Sequence, residues 1–209
     1  MEDIVKRKGF MFVISSPSGA GKTTLARALL LSDHNLVMSV SVTTRNKREQ
    51  EQHGTDYFFI NRNEFDSLVK NDELLEHAHV FDEYYGTPKK LVMDNLNQGI
   101  DVLFDIDWQG TSQLASKAPS ELVSVFILPP SMKELESRLK KRAQDSEEVV
   151  QKRMAKAHIE ISHWQSYDYV IINYDIADSL KKISSILASE RLKKVRQKGL
   201  KDFVDELLK

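Results

Sequence analysis

Cysteine is absent from this 209-residue sequence, which excludes disulfides and thiolate metal sites and fits a reducing compartment such as the cytoplasm. An excess of charge of one sign is absent too. Charged residues make up 29% of the chain, yet the net charge is -1, so no global basic field points to a nucleic-acid partner and any anion recognition has to be local. Long apolar runs are missing: no stretch approaches the length of a membrane span, and the run 10–14 that follows the charged segment 1–8 is too short for a signal-peptide core. No repeat, low-complexity tract or linker interrupts the chain. Its length suits one α/β domain with insertions.

What is present is an alternation of short apolar runs with amphipathic stretches, the pattern of repeated βα units around a parallel sheet. Strands are expected at 10–15, 102–106, 123–128 and 169–172, and helices at 22–32, 88–98, 109–116, 131–141 and 178–191. Two segments break the rhythm. Residues 39–85, rich in Thr, Asn, Glu and Tyr and containing the strand-like 56–60, read as an inserted small sheet; residues 138–157 read as a charged helix-turn-helix flap.

The first apolar run leads into Ser16-Pro17-Ser18-Gly19-Ala20-Gly21-Lys22-Thr23-Thr24. Strand, glycine-bearing loop and helix in that order form a phosphate-binding P-loop: backbone N–H groups turn inward, the helix N-terminus adds partial positive charge, Lys22 reaches the terminal phosphates and the Thr23 hydroxyl can ligand Mg²⁺. Ser16 stands where glycine is commonest. A second constellation, Asp105-Ile106-Asp107-Trp108-Gln109-Gly110, follows a buried-type strand, so Asp105 is placed to hold that Mg²⁺ through water, with a helix N-cap as its plain structural alternative. In the insertion, Arg45 and Arg48 near Ser41, with Tyr57, Tyr84, Tyr85 and Thr87, supply the guanidinium forks and hydroxyls that a monophosphate dianion needs. Glu76 projects from an alternating segment that also carries His77 and His79 on one face, and the basic stretch 191–201 reads as a solvated helix end.

Taken together, these motifs resemble the guanylate kinase family, in its bacterial form, from the P-loop to nearly the C-terminus. The resemblance implies an α/β P-loop NTPase three-layer sandwich with a central parallel sheet, an inserted GMP-binding small sheet and a helical lid. The core would be 1–38, 86–137 and 158–209, the insertion 39–85 and the lid 138–157. It also implies ATP as phosphoryl donor with Mg²⁺, and GMP or dGMP as acceptor. Ser41, Arg45, Arg48, Tyr57, Glu76, Tyr85, Thr87 and Asp107 match the family's GMP site. Arg138, Arg142 and Arg153, with Lys22 and Arg45, match its grip on the transferring phosphates, and Asn173 matches a position near the adenine. No nucleic-acid or membrane partner is implied, and a homo-oligomer is compatible with the sequence. The chain departs from the family at Lys141-Arg142-Ala143, where Gly-Arg-Gly is usual, and at Tyr174, where an acidic residue is common. Two other readings stay open: a non-catalytic guanylate-kinase-like module that binds phosphopeptides, and a monophosphate kinase of different base preference.

Overall fold

The first apolar run shows no polar alternation because both faces of its strand are covered, and every residue of Met11–Ser15 is buried. The computed structural model describes residues 6–80, 82–142 and 147–209, without the side chain of Arg142. The departure at Ala143 therefore lies outside the described residues.

In chain order the elements are β1 (Lys6–Arg7), β2 (Met11–Ser15), α1 (Lys22–Ser32), β3 (Leu36–Met38), β4 (Val42–Thr43), β5 (Phe58–Phe59), α2 (Arg62–Lys70), β6 (Leu74–Val80), β7 (Glu83–Pro88), α3 (Lys89–Asn97) and β8 (Asp101–Phe104). They continue with α4 (Trp108–Lys117), β9 (Leu122–Leu128), α5 (Met132–Arg142), α6 (Glu147–Ser162), β10 (Tyr169–Ile172), α7 (Ile176–Arg191), β11 (Gln197–Lys198) and α8 (Leu200–Leu207). The central sheet has the order β10-β9-β2-β8-β3 and is parallel throughout. Side chains alternate across it. Phe10, Phe12 and Ile14 enter a core shared with Leu25 and Leu29 of α1 and Ile183 and Leu187 of α7, while Met11 and Val13 enter the opposite core with Val92 of α3 and Leu114 of α4. Because β2 and β8 are neighbours running in the same direction, the loops that leave them emerge side by side, where ligands bind in such sheets.

The second sheet, order β5-β4-β7-β6, is mixed and reaches Pro88, three residues beyond the expected insertion boundary at 85. The strand expected at 56–60 shrinks to β5, two residues long. The insertion also holds a helix, α2, opened by a capping box in which Asn61 and Glu64 bond each other's backbone N–H, and its Phe65 is buried with Val42 and Leu74. Helices α5 and α6, which carry the segment expected as a lid, bury Leu135, Leu139, Val150 and Ala157 together.

The basic stretch 191–201 is a solvated helix end only in part. Helix α7 stops at Arg191, β11 pairs with β1, and Arg196 is buried, its guanidinium 4.2 Å from the Phe10 ring centre and its Nη2 donating to Glu190 at 3.2 Å. Arg191 pairs with both Asp33 and Asp101, so the two arginines of this stretch face inward, while Lys193, Lys194, Lys198 and Lys201 stay exposed. No described helix is long and apolar enough to cross a membrane.

Candidate active site

The P-loop turns on two glycines. Gly19 and Gly21 have φ of +92° and +103°, a left-handed backbone that side chains resist, and Gly21 is the residue before α1. A Cβ at Gly21 would lie 2.5 Å from Asn173 Nδ2. The loop surrounds a polar cavity of about 260 Å³ lined by Ser16, Pro17, Ser18, Gly19, Lys22 and Thr23, with Asp107, Lys156 and Glu160 on the facing side. Helix α1 has no acidic residue in its first turn and no side chain capping it, so its N–H groups are left to an anion. The Glu160 carboxylate already accepts the Ser18 N–H at 3.3 Å.

Asn173 is tied to the P-loop. It is buried, its Nδ2 donates to the Ala20 carbonyl at 2.7 Å and its Oδ1 accepts from Ser179 at 2.8 Å. With both ends of the amide engaged, it braces the P-loop. Tyr174, next to it, is 69% exposed.

The carboxylates after β8 take different tasks. Asp105 forms an ion pair with Lys22 and lines a second cavity of about 250 Å³ with Ser39, Ser41, Asp56, Tyr57 and Ile106. The helix cap is Asp107, whose Oδ1 accepts the N–H groups of Gln109 and Gly110 at 3.0 and 3.2 Å. A buried set of hydroxyls, which the sequence analysis did not single out, anchors this turn. Ser15 donates to the Ile106 carbonyl at 2.7 Å, Thr111 donates to the Asp107 carbonyl at 2.8 Å, and Tyr167 donates to Thr111 at 3.3 Å.

In the insertion, Glu76 and Thr87 stand on adjacent strands, β6 and β7. Thr87 donates to Glu76 Oε1 at 2.6 Å, and both side chains are buried. Burial pushes the Glu76 carboxyl above the ordinary carboxylate range; the Thr87 hydrogen bond opposes this and the Asp107 charge adds to it. Since the Thr87 proton goes to Glu76, Ser41 is the donor in its 3.4 Å contact with Thr87.

Arg45 is clamped by Glu51, with Nη1 and Nη2 donating to its two oxygens at 2.9 and 2.7 Å. Its guanidinium carbon is 5.4 Å from the Tyr57 ring centre, and the Tyr57 and Tyr85 rings meet edge to face at 6.0 Å. Hydrogen bonds to Glu51 and Tyr85 raise the Arg45 pKa further, and burial holds the Tyr57 phenol above its usual value, so both remain protonated donors. Glu51 was absent from the expected set. Besides Arg45 it accepts the Arg48 N–H at 2.8 Å, and these bonds hold its carboxyl down at about 2. Its sequence signal is spacing alone, an acid three residues beyond Arg48.

The lid cations are less gathered. Arg138 pairs with Glu134 along α5 at 2.9 Å, Arg153 lies on α6 with a partner of its own, and the Arg142 side chain lies outside the described residues. His77 meets Phe65 edge to face and His79 stacks on Tyr84, with ring centres 6.4 and 4.5 Å apart.

Comparison with known proteins matches this arrangement. A family model described as guanylate kinase covers residues 8–190. The guanylate kinase of Paramagnetospirillum magneticum is 58% identical over 97% of this chain and 95% of that protein, and that of Bradyrhizobium diazoefficiens 56% identical over 97% and 92%. A crystal structure of guanylate kinase from Anaplasma phagocytophilum superposes with a TM-score of 0.75 at 43% identity, covering 96% of each chain. With its P-loop, its carboxylate-and-hydroxyl pocket and these full-length relatives, the chain belongs to the guanylate kinase family.

Proposed function

We propose that the protein transfers the γ-phosphoryl group of ATP to GMP or dGMP, giving ADP and GDP or dGDP. One observation carries this reading: Asp105 is paired with P-loop Lys22 and also lines the cavity of Ser41 and Tyr57, so the anion cradle and the acceptor pocket adjoin through one side chain. The acceptor's phosphate falls to Arg45, Arg48, Tyr57 and Tyr85, whose donors suit a dianion. Glu76 and Asp107 supply carboxylate acceptors for the N1–H and exocyclic amino group of guanine. Adenine, with an unprotonated N1, would meet them lone pair to lone pair. Leaving such buried groups unpaired costs about 1–3 kcal/mol each, enough to set base preference.

Phosphoryl transfer requires alignment and neutralisation of charge more than a covalent side chain. Lys22 and the P-loop N–H groups hold the donor phosphates; Arg138, Arg142 and Arg153 add positive charge from the lid. The hydroxyl of Thr23 and the carboxylate of Asp105 are hard oxygen donors beside the P-loop, a set that fits Mg²⁺, and the metal would supply charge neutralisation on the donor phosphates. No general base is needed.

A coupled assay of ATP and Mg²⁺ with GMP, AMP, CMP and UMP in turn tests the reading, with turnover expected for GMP far above the rest. Preference for AMP would overturn the base assignment, and no turnover with any acceptor would favour a non-catalytic phosphopeptide-binding module.

A further inference from the structure

We infer that Gln113, on helix α4, is a positioning residue that fixes the reach of Glu76 toward the base. The inference rests on the proposed role of Glu76 in reading guanine, taken here as acceptance of the exocyclic amino group. Strand β6 is an edge strand, bonded to β7 on one side only, and its pairing slips between Leu74 and His77. Glu76 stands inside that slip, where the ladder does not dictate how its side chain is presented. Thr87 holds the carboxylate from the β7 side, and the backbone that carries it is fixed from the open side of β6.

That side faces α4. Gln113 Oε1 accepts the His77 N–H and Gln113 Nε2 donates to the His77 carbonyl, each at 3.0 Å. The side-chain amide thus behaves as one residue of a missing neighbouring strand, offering an acceptor and a donor to the same backbone unit. One turn further on, Lys117 Nζ donates to the Leu74 carbonyl at 2.7 Å and pairs with Asp72 at 2.9 Å. The two bonds pin β6 on both sides of Glu76. One turn earlier, Gly110 permits close approach, since a Cβ there would sit 3.4 Å from Glu76 Oε2 and 3.1 Å from Ile106 Cδ1. Residues 110, 113 and 117 share one face of α4 by helical spacing.

The consequence is a coupling between two carboxylates from different parts of the chain. Asp107 caps α4 and Glu76 rides on β6, so the amide bridge from α4 to β6 sets the gap between the two oxygens' sources. Few side chains can replace this amide. Leucine has neither donor nor acceptor, and glutamate keeps the acceptor for the His77 N–H but turns the donor against the His77 carbonyl into a second acceptor.

The test uses Gln113→Leu and Gln113→Glu, each alone and combined with Glu76→Gln, assayed with saturating ATP against GMP and against IMP, which lacks the exocyclic amino group. Gln113→Leu is expected to raise the KM for GMP about tenfold, with kcat and the KM for ATP within about twofold of wild type. The preference for GMP over IMP should narrow, and the loss should vanish when Glu76→Gln is already present, since the amide acts through that carboxylate. Should Gln113→Leu fail to fold, Gln113→Glu, of nearly equal volume, carries the same comparison with a smaller expected effect. Equal losses for GMP and IMP, or an undiminished loss in the Glu76→Gln background, would overturn the inference and leave Gln113 as a structural tie. Glu76→Gln with a wild-type GMP to IMP ratio would instead overturn the base-reading role of Glu76 itself.

Discussion

Replacing Asp101 by asparagine separates the two ends of β8. The strand begins at Asp101, which is fully buried, and leads at its other end into Asp105, the partner of Lys22. Asp101 accepts from Arg7 Nη1 and Nη2 at 2.6 and 3.0 Å, from Arg191 Nε at 2.7 Å and from the Phe10 N–H at 3.1 Å. Asparagine keeps the shape but removes the charge and turns one oxygen into a donor pointed at guanidinium groups. Breaking a buried ion pair in this way costs about 3–5 kcal/mol. The lower figure is the better choice here, because Arg7 and Arg191 retain 20% and 19% of their side-chain exposure and Arg191 keeps Asp33. At about 2–4 °C per kcal/mol for a chain of this length, 3 kcal/mol corresponds to a fall in Tm of about 6–12 °C. Thermal denaturation followed by circular dichroism measures it, and the coupled assay well below Tm should return the wild-type KM for both substrates. A Tm within about 2 °C of wild type would refute the energetic reasoning. A raised KM for GMP at full folding would refute the separation of the two ends.

Lys22→Ala should lose transfer by about 100- to 1,000-fold in kcat, as removal of a donor aimed at developing charge does, with Tm nearly unchanged; wild-type turnover would remove the P-loop from the mechanism. Glu51→Gln should raise the KM for GMP by loosening Arg45, and its effect on stability has a defined pH dependence. The native Glu51 carboxyl is held at about 2, below its ordinary value of 4.5, so its contribution is complete above pH 4.5 and is lost as pH falls toward 2. The difference in Tm between wild type and Glu51→Gln should therefore be flat from pH 7 to 5 and shrink only below; a difference already shrinking at pH 6 would sink the assignment. Hydrogen exchange with GMP and a non-hydrolysable ATP analogue should show added protection in residues 39–85 and in the described parts of 138–157, because water has to be excluded around the reacting phosphates. Protection confined to the P-loop would refute closure.

The parts of the fold that were legible in the sequence are those whose signal is local. Strand β2, the glycine loop and α1 announce themselves within 23 residues, and β10 and α1 fall on the expected bounds. Strand β3 was not legible, since only Leu36 of its three residues is buried and its partner β8 lies far along the chain. Helix α2 was missed although the Asn61 and Glu64 spacing of a capping box was in plain view, because the Tyr- and Thr-rich surroundings suggested strand. The helix cap, offered at Asp105 only as the alternative to metal binding, belongs to Asp107, two residues on, a displacement that boundary reasoning does not resolve. Residues of recognisable type and motif could be singled out as candidates from the sequence, while Glu51, Gln113 and the Ser15, Thr111 and Tyr167 hydroxyls could not. Each of these acts on a backbone group or on another side chain, and nothing in a single sequence marks such a partner.

The ion pairs of the site have a consequence for how substrates arrive. Lys22 is matched by Asp105, Arg45 by Glu51 and Arg138 by Glu134, so three of the cations assigned to phosphate already hold internal counter-ions. Nucleotide binding then adds phosphate oxygens to cations that are held in place and never bare. Such a site gives an unspecific anion little net field to follow, in keeping with a chain whose net charge is -1. Selection passes from overall charge to shape: only a ligand that presents an oxygen to every held cation at once gains from them all.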